Sequence, residues 1–233
     1  MRIIGHRGAA GLVPENTLPS FQKALDLEVD GIELDVHWVH DRLLVIHDDT
    51  LERTTSGQGP LGDHSLVGLR GMDAGDGEPI PFLEEVLALV GGQVLVNIEL
   101  KGAATAEPVA ACLRSFPGAN VVVSSFTHDE LTRFANLETP TPVAPLFGRR
   151  NSAMFDIAAR LQAGSVNVSR KIVRADLIQA AHDRSLEVWV YTVNDPAEMS
   201  QFAALGVDAI FTDYPDRVPP ASRARGAADT SDR

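Results

Sequence analysis

At 233 residues, 44% hydrophobic and 22% charged, the chain suits one larger domain with a substantial core and does not read as disordered. A formal net charge of −12 argues against a nucleic-acid surface or a patch for anionic membranes, since both need clustered Lys and Arg; any phosphate binding has to be local. The single cysteine, Cys112, excludes an internal disulfide, and no apolar run reaches the roughly 18 residues of a membrane-spanning helix.

The chain opens on MRIIGHRG, where RIIG (2–5) reads as a first strand with no signal-peptide run before it, so a cytoplasmic location is expected. Further apolar, β-rich runs follow at 31–36 (GIELDV), 94–100 (VLVNIEL), 120–125 (NVVVSS), 142–147 (PVAPLF), 164–168 (GSVNV), 186–191 (LEVWVY) and 207–212 (VDAIFT). Helix-like stretches such as TLPSFQKALDL, PFLEEVLALV and DLIQAAHDRS separate most of them. Eight strands alternating with helices predict an α/β fold, a parallel (β/α)8 TIM barrel, although an open doubly wound sheet has the same local grammar. LLVIHD (43–48) lies too close to the second strand for a parallel crossover and reads as its hairpin partner. A turn at 39–42 would carry His47 back beside residues 34–36.

Residues 52–80 are rich in Gly, Asp and Pro, with one helix-like segment around 65–71, and read as a small insertion over the catalytic end of the barrel. Residues 219–233 lack apolar periodicity and are expected to form a disordered tail. The organisation is therefore a single barrel domain over 1–218 with that tail.

Charge inside the second strand needs an explanation. Side chains alternate faces along a strand, so Glu33, Asp35 and His37 share one face, and in NIELK the same period aligns Asn97, Glu99 and Lys101. Three carboxylates from neighbouring strands repel unless they are protonated, paired or bound to a metal. All-oxygen ligands suit Mg²⁺ or Ca²⁺, whereas zinc prefers His and Cys. The plainer alternative is structural pairing of Glu33 and Asp35 with Arg7 and Lys101. Convergence favours chemistry: GHRG adds His6 and Arg7 at the end of the first strand, and the hairpin adds His47. Two imidazoles can act as acid and base while Arg7 and Lys101 stabilise an anion, a set suited to phosphate-ester cleavage.

These residues fall in an ordered set of motifs: HRG (6–8), PENT (14–17), IELDV (32–36), HDDTLERTT (47–55), NIELK (97–101), SSF (124–126), TVND (192–195) and TDYP (212–215). Over some 210 residues, the set resembles the glycerophosphodiester phosphodiesterases. The resemblance implies a distorted barrel with a small insertion after the second-strand hairpin, hydrolysing a glycerophosphodiester to sn-glycerol 3-phosphate and an alcohol. It further implies Glu33, Asp35 and Glu99 as ligands of one divalent cation, Mg²⁺ or Ca²⁺, His6 and His47 as the acid–base pair, and Arg7 and Lys101 as phosphate clamps. Direct attack by water and a cyclic phosphate intermediate are both compatible with these residues. Phe126 and Tyr191 are placed near the pocket mouth, and many relatives carry Trp where Tyr191 stands. For Asn16, capping the first helix is the expected role. His37 is left outside the site. The small insertion suggests a small soluble diester as partner, with no stable membrane association and no nucleic acid. Lysophospholipase D-like cleavage and a non-catalytic phosphodiester-binding barrel are the alternatives.

Overall fold

Each apolar run folds as a strand close to its expected limits: β1 (Arg2–Gly5), β2 (Gly31–Val39), β4 (Leu95–Leu100), β5 (Val121–Ser125), β6 (Val143–Phe147), β7 (Ser165–Ser169), β8 (Glu187–Tyr191) and β9 (Ala209–Thr212), with β3 (Arg42–Val45) between β2 and β4. The computed structural model describes residues 1–137 and 139–223. All pairings are parallel except β2 with β3, and β1 pairs with both β9 and β2, which closes the eight parallel strands into a barrel. The open-sheet alternative is thereby removed.

Helices α1 (Leu18–Asp26) and α3 (Leu83–Val90) to α8 (Pro196–Leu205) cover the barrel; α4 (Ala106–Leu113), α5 (His128–Ala135), α6 (Met154–Arg160) and α7 (Ala175–His182) lie between them in sequence. The main core is the layer between strands and helices, with Phe21, Ile32, Leu34, Val86, Ile98, Val123 and Phe134 buried in it. Inside the barrel the apolar filling is small, built around Ile4, Val122, Ala144, Trp189, Ala209 and Phe211. The carboxyl ends of the strands are left to polar side chains, as expected of a barrel whose chemistry sits at that end. Among the described residues no helix is long and apolar enough to cross a membrane.

The hairpin forms as expected. Val39 pairs with Arg42 across a two-residue turn in which His40 (φ 49°) and Asp41 (φ 58°) both take the left-handed conformation that such tight hairpins need. Its register places Ile46 N on the carbonyl of Asp35 at 3.1 Å, so His47 follows directly beside the acids of β2. The insertion is more than a loop: Leu44, Ile46, Leu51, Leu61, Leu69, Ala74 and Ile80 form a second small core. Its helix α2 (Leu66–Arg70) is capped by Ser65, which accepts from Gly68 N, and Arg70 grips both carboxylate oxygens of Glu85 at 2.9 Å.

The expected tail is ordered at its start. Pro220–Ser222 form a 3₁₀ turn, Ser222 is buried, and Arg223 donates to the carbonyl of Glu28 at 3.1 Å. Prolines 219 and 220 erase helical periodicity from the sequence without preventing packing. The remainder of that expectation, 224–233, lies outside the described residues.

Candidate active site

The chain reverses tightly after β1. Arg7 takes φ 51° and Gly8 φ 86°, and a Cβ on Gly8 would stand 2.5 Å from Ser20 Oγ, so only glycine fits. This turn directs the Arg7 backbone N–H onto Glu33 Oε2 at 3.0 Å. Downstream, Thr17 rather than Asn16 caps α1, accepting from Ser20 N. Asn16, at φ 57° and buried, instead donates from Nδ2 to Asp35 Oδ2 at 3.0 Å, which corrects the capping role expected for it.

The two acidic strands meet in register, Asp35 beside Glu99 and Glu33 beside Asn97. Glu33, Asp35 and Glu99 are all buried, and one carboxylate oxygen from each lies within 4.8 Å of the others. Two unit charges about 4 Å apart repel by roughly 4 kcal/mol at an effective dielectric of about 20. Burial together with its acidic neighbours pushes Glu33 well above the usual carboxylate range, and burial with Asp35 pushes Glu99 up to about 7. Asp35 moves the other way: burial opposes ionisation, but Arg7, His47 and Lys101 outweigh it. Two cations thus face three acids. Arg7 Nε stands 3.2 Å from Asp35 Oδ2, while Lys101 Nζ stands 3.0 Å from Glu99 Oε1 and 3.7 Å from Asp35 Oδ1. The buried Asp35 Oδ1 has no hydrogen-bond partner. An all-oxygen cluster with excess negative charge and an unsatisfied oxygen fits one hard divalent cation.

Both histidines stand at this cluster, each with a carboxylate on Nδ1. His6 Nδ1 lies 2.6 Å from Asp213 Oδ1, and His47 Nδ1 lies 2.5 Å from Asp48 Oδ1. An ionised carboxylate only accepts, so each Nδ1 carries the proton and each Nε2 is left for other partners. His6 Nε2 is 3.9 Å from Glu33 Oε2, and His47 Nε2 is 3.2 Å from Lys101 Nζ. Burial, helped by Arg7 and Lys101, holds His47 below the ordinary histidine range despite Asp35 and Asp48.

All seven residues expected from the sequence are therefore brought together. Five of them, His6, Arg7, Glu33, His47 and Glu99, line one cavity of about 240 Å³ whose remaining wall includes Phe126, Leu146, Tyr191 and Phe211. Phe126 and Tyr191 meet edge to face with centroids 5.8 Å apart, as placed by the resemblance. His37 does not face the acids as a ligand; its Nε2 bonds the carbonyl of His47 at 3.0 Å. Of the supporting residues, the sequence offers Glu15 of PENT as one that could orient HRG or cap the first helix, whereas Asp48, Arg53, Asn194 and Asp213 are not singled out by it. Asn194 donates to Asp213 Oδ2 at 2.6 Å, Arg53 donates to Asp48 Oδ2 at 2.5 Å, and Glu15 pairs with both Arg7 and Arg53. Their signal was membership of TVND, TDYP, HDDTLERTT and PENT, which local pattern alone does not convert into contacts.

Fold and site together define a (β/α)8-barrel hydrolase with an acidic, histidine-flanked pocket at the carboxyl end of its strands. Residues 6–217 match the Glycerophosphoryl diester phosphodiesterase family, and the chain belongs to it. A glycerophosphodiester phosphodiesterase of Bacillus altitudinis is 35% identical over 234 residues, covering 93% of this chain and 96% of the relative. One from Caldanaerobacter subterraneus subsp. tengcongensis is 33% identical over 229 residues, covering 92% and 94%. The crystal structure of the Agrobacterium tumefaciens enzyme matches with a TM-score of 0.80 at 31% identity, covering 93% of this chain and 98% of that one. An Oleispira antarctica phosphodiesterase in complex with the product sn-glycerol-3-phosphate matches with a TM-score of 0.85 at 25% identity, covering 94% and 95%.

Proposed function

We propose that this phosphodiesterase hydrolyses small soluble glycerophosphodiesters, such as glycerophosphocholine or glycerophosphoethanolamine, to sn-glycerol 3-phosphate and an alcohol, with His6 and His47 as its acid–base pair. One observation carries the assignment: two imidazoles, each with its Nδ1 proton held by a carboxylate, line the same cavity. Each Nε2 is thereby fixed in direction and able to exchange a proton. One histidine takes the proton of the attacking oxygen, and the other returns one to the departing alkoxide. Arg7 and Lys101 hold the non-bridging phosphoryl oxygens. Glu33, Asp35 and Glu99 would hold one divalent cation, Mg²⁺ or Ca²⁺, which supplies Lewis-acid polarisation of the phosphoryl group when bound.

Charge balance supports the reading. With all three carboxylates ionised, Arg7 and Lys101 leave these five side chains with one negative charge; a divalent cation would turn it to one positive, opposite to the single negative charge of a phosphodiester. The apolar wall of Phe126, Leu146, Tyr191 and Phe211 suits carbon atoms of the glycerol or alcohol, and a cavity of about 240 Å³ favours a small diester over a lipid chain.

The test is sn-glycerol 3-phosphate release, coupled to its dehydrogenase, from glycerophosphocholine, glycerophosphoethanolamine and glycerophosphoglycerol. The protein is assayed ion-stripped and with Mg²⁺ or Ca²⁺ restored, beside Glu33→Ala. Turnover that needs one of the ions and vanishes in the variant is expected. Release from none of the diesters under any condition, with turnover of dispersed lysophospholipid instead, would overturn the substrate assignment.

A further inference from the structure

The carboxylates that hold His47 and Arg7 meet at one residue outside the cavity, Arg53. Arg53 lies in the insertion, with its side chain 45% exposed, and does not line the cavity that holds His6, Glu33 and His47. Its guanidinium nevertheless makes three directional hydrogen bonds. Nε donates to Asp48 Oδ2 at 2.5 Å, Nη1 to Glu15 Oε2 at 2.8 Å and Nη2 to Glu15 Oε1 at 2.9 Å. Each of these carboxylates reaches inward with its next bond: Asp48 Oδ1 holds His47 Nδ1 at 2.5 Å, and Glu15 Oε1 accepts from Arg7 Nη1 at 2.7 Å. One planar cation therefore fixes the spacing between the holder of His47 and the holder of Arg7.

We propose that Arg53 is a positioning residue that sets His47 and Arg7 relative to one another, a task resting on the assignment of those two residues to the reaction. Stability alone does not account for the arrangement, because a bidentate pair to Glu15 combined with a third bond to Asp48 fixes directions as well as charge. Lysine could supply the charge but not the fork, whose three N–H groups point along fixed directions to two acids. The tie also gives the insertion a function: it carries Arg53 across from the hairpin to the PENT turn, where that one side chain bonds a carboxylate of each segment.

The experiment uses the full chain with its restoring ion and compares wild type, Arg53→Ala, Arg53→Lys, Asp48→Asn and the double variant Arg53→Ala/Asp48→Asn on glycerophosphocholine. Loss of such supporting contacts typically costs about 10–100-fold. Arg53→Ala is expected to lose about that much in kcat/KM, with kcat falling through His47 and KM rising through Arg7. The thermal midpoint is expected to fall by no more than a few degrees, Arg53→Lys to recover little of the activity, and Asp48→Asn to cost far less in the Arg53→Ala background than alone. Wild-type kinetics in Arg53→Ala, full recovery by Arg53→Lys, strict additivity with Asp48→Asn, or a midpoint that collapses together with activity would each overturn the proposal. A proton NMR spectrum separates this from the functional reading. If wild type turns over no diester, the assigned activity fails on its own, while loss of the low-field His47 Nδ1 proton in Arg53→Ala upholds the positioning role and its persistence refutes it.

Discussion

His6 and His47 are held by the same device and secured in opposite ways. The carboxylate on His6 is Asp213, at the end of β9, and its second oxygen is bound by the neutral amide of Asn194 from the loop after β8. Asn194 in turn accepts from Asp213 N at 2.9 Å and Thr212 Oγ1 at 3.2 Å, so the whole arm is built from two adjacent barrel loops. The carboxylate on His47 is Asp48, and its second oxygen is bound by a half-exposed cation carried on the insertion. One arm is a product of barrel topology; the other depends on a surface network that an insertion completes. Neighbouring parallel strands fix their loops against each other without further help, whereas a hairpin projecting from the barrel needs an added tie.

The largest effect that can test this comparison is removal of either imidazole. General acid–base groups contribute about 10²–10⁴-fold, so His6→Ala and His47→Ala are each expected to lose activity in that range, mostly in kcat. If the two act as one unit, the double variant is no worse than the weaker single variant, as measured by sn-glycerol 3-phosphate release. Independent, multiplying losses would show that the arms do not serve one reaction step.

Next in size is Asp213→Asn, which keeps the shape of the barrel-built arm but replaces the carboxylate that fixes the His6 tautomer. A loss of about 10–100-fold in kcat with little change in KM is expected, because no phosphate clamp is attached to this arm. That contrasts with Arg53→Ala, where both constants move. A parallel rise in KM for Asp213→Asn would erase the distinction between the arms.

The acids between the arms give a smaller effect, read in stability. Glu33 and Glu99 are raised, Glu99 to about 7 from an ordinary 4.5, by burial and by their acidic neighbours. The folded, ion-free chain therefore binds more protons than the unfolded chain in that window. Its stability is full below the ordinary value and declines as pH rises toward about 7. A divalent cation held by these carboxylates would remove the repulsion, so the rise in thermal midpoint on adding Mg²⁺ or Ca²⁺ is expected to be several degrees at about pH 8 and clearly smaller at about pH 5. An increment that is the same at both pH values would argue against ion binding by these carboxylates.

Much of this was legible in the sequence, and the limits have physical causes. Period-two alternation in GIELDVH and NIELK places Glu33 and Asp35 on one face of their strand and Asn97 and Glu99 on one face of theirs, and the short gap to LLVIHD requires the hairpin that delivers His47. Barrel closure was not legible, because it is decided by β1 meeting both β2 and β9, a pairing of Ile4 with Phe211 that no local pattern encodes. The supporting shell was hidden for the same reason: Asp213 finds His6 across 207 positions of sequence. Asn16 misled in a different way. NTLPSF reads as a capped helix start whichever of its first two residues does the capping, and only the left-handed backbone at Asn16 turns that side chain toward Asp35. At the carboxyl-terminal end, Pro220–Ser222 pack without periodicity, which makes an ordered 3₁₀ turn indistinguishable from a tail in sequence.

The smallest effect separates the arms by their acid sensitivity. Arg53 first, then His47, hold the Asp48 carboxyl at about 2 instead of the ordinary 3.8. A depressed value means the folded chain binds fewer protons than the unfolded chain, so this contribution is complete above about pH 4 and is lost as pH falls through about 2. Asp213 is lowered too, against the opposing effect of burial, but by the hydrogen bond and charge of His6, by Asn194 and by the charge of Arg7, with no arginine fork bonded to it. Urea unfolding between about pH 5 and pH 2 is therefore expected to lose a small part of its pH slope in Arg53→Ala through Asp48, and a separate part in His6→Ala through Asp213. The two losses add approximately in the double variant, because Asp48 and Asp213 have no hydrogen-bond partner in common. A slope unchanged in Arg53→Ala would mean that the fork does not hold Asp48 in solution, and the contrast between a barrel-built and an insertion-built arm would lose its electrostatic half.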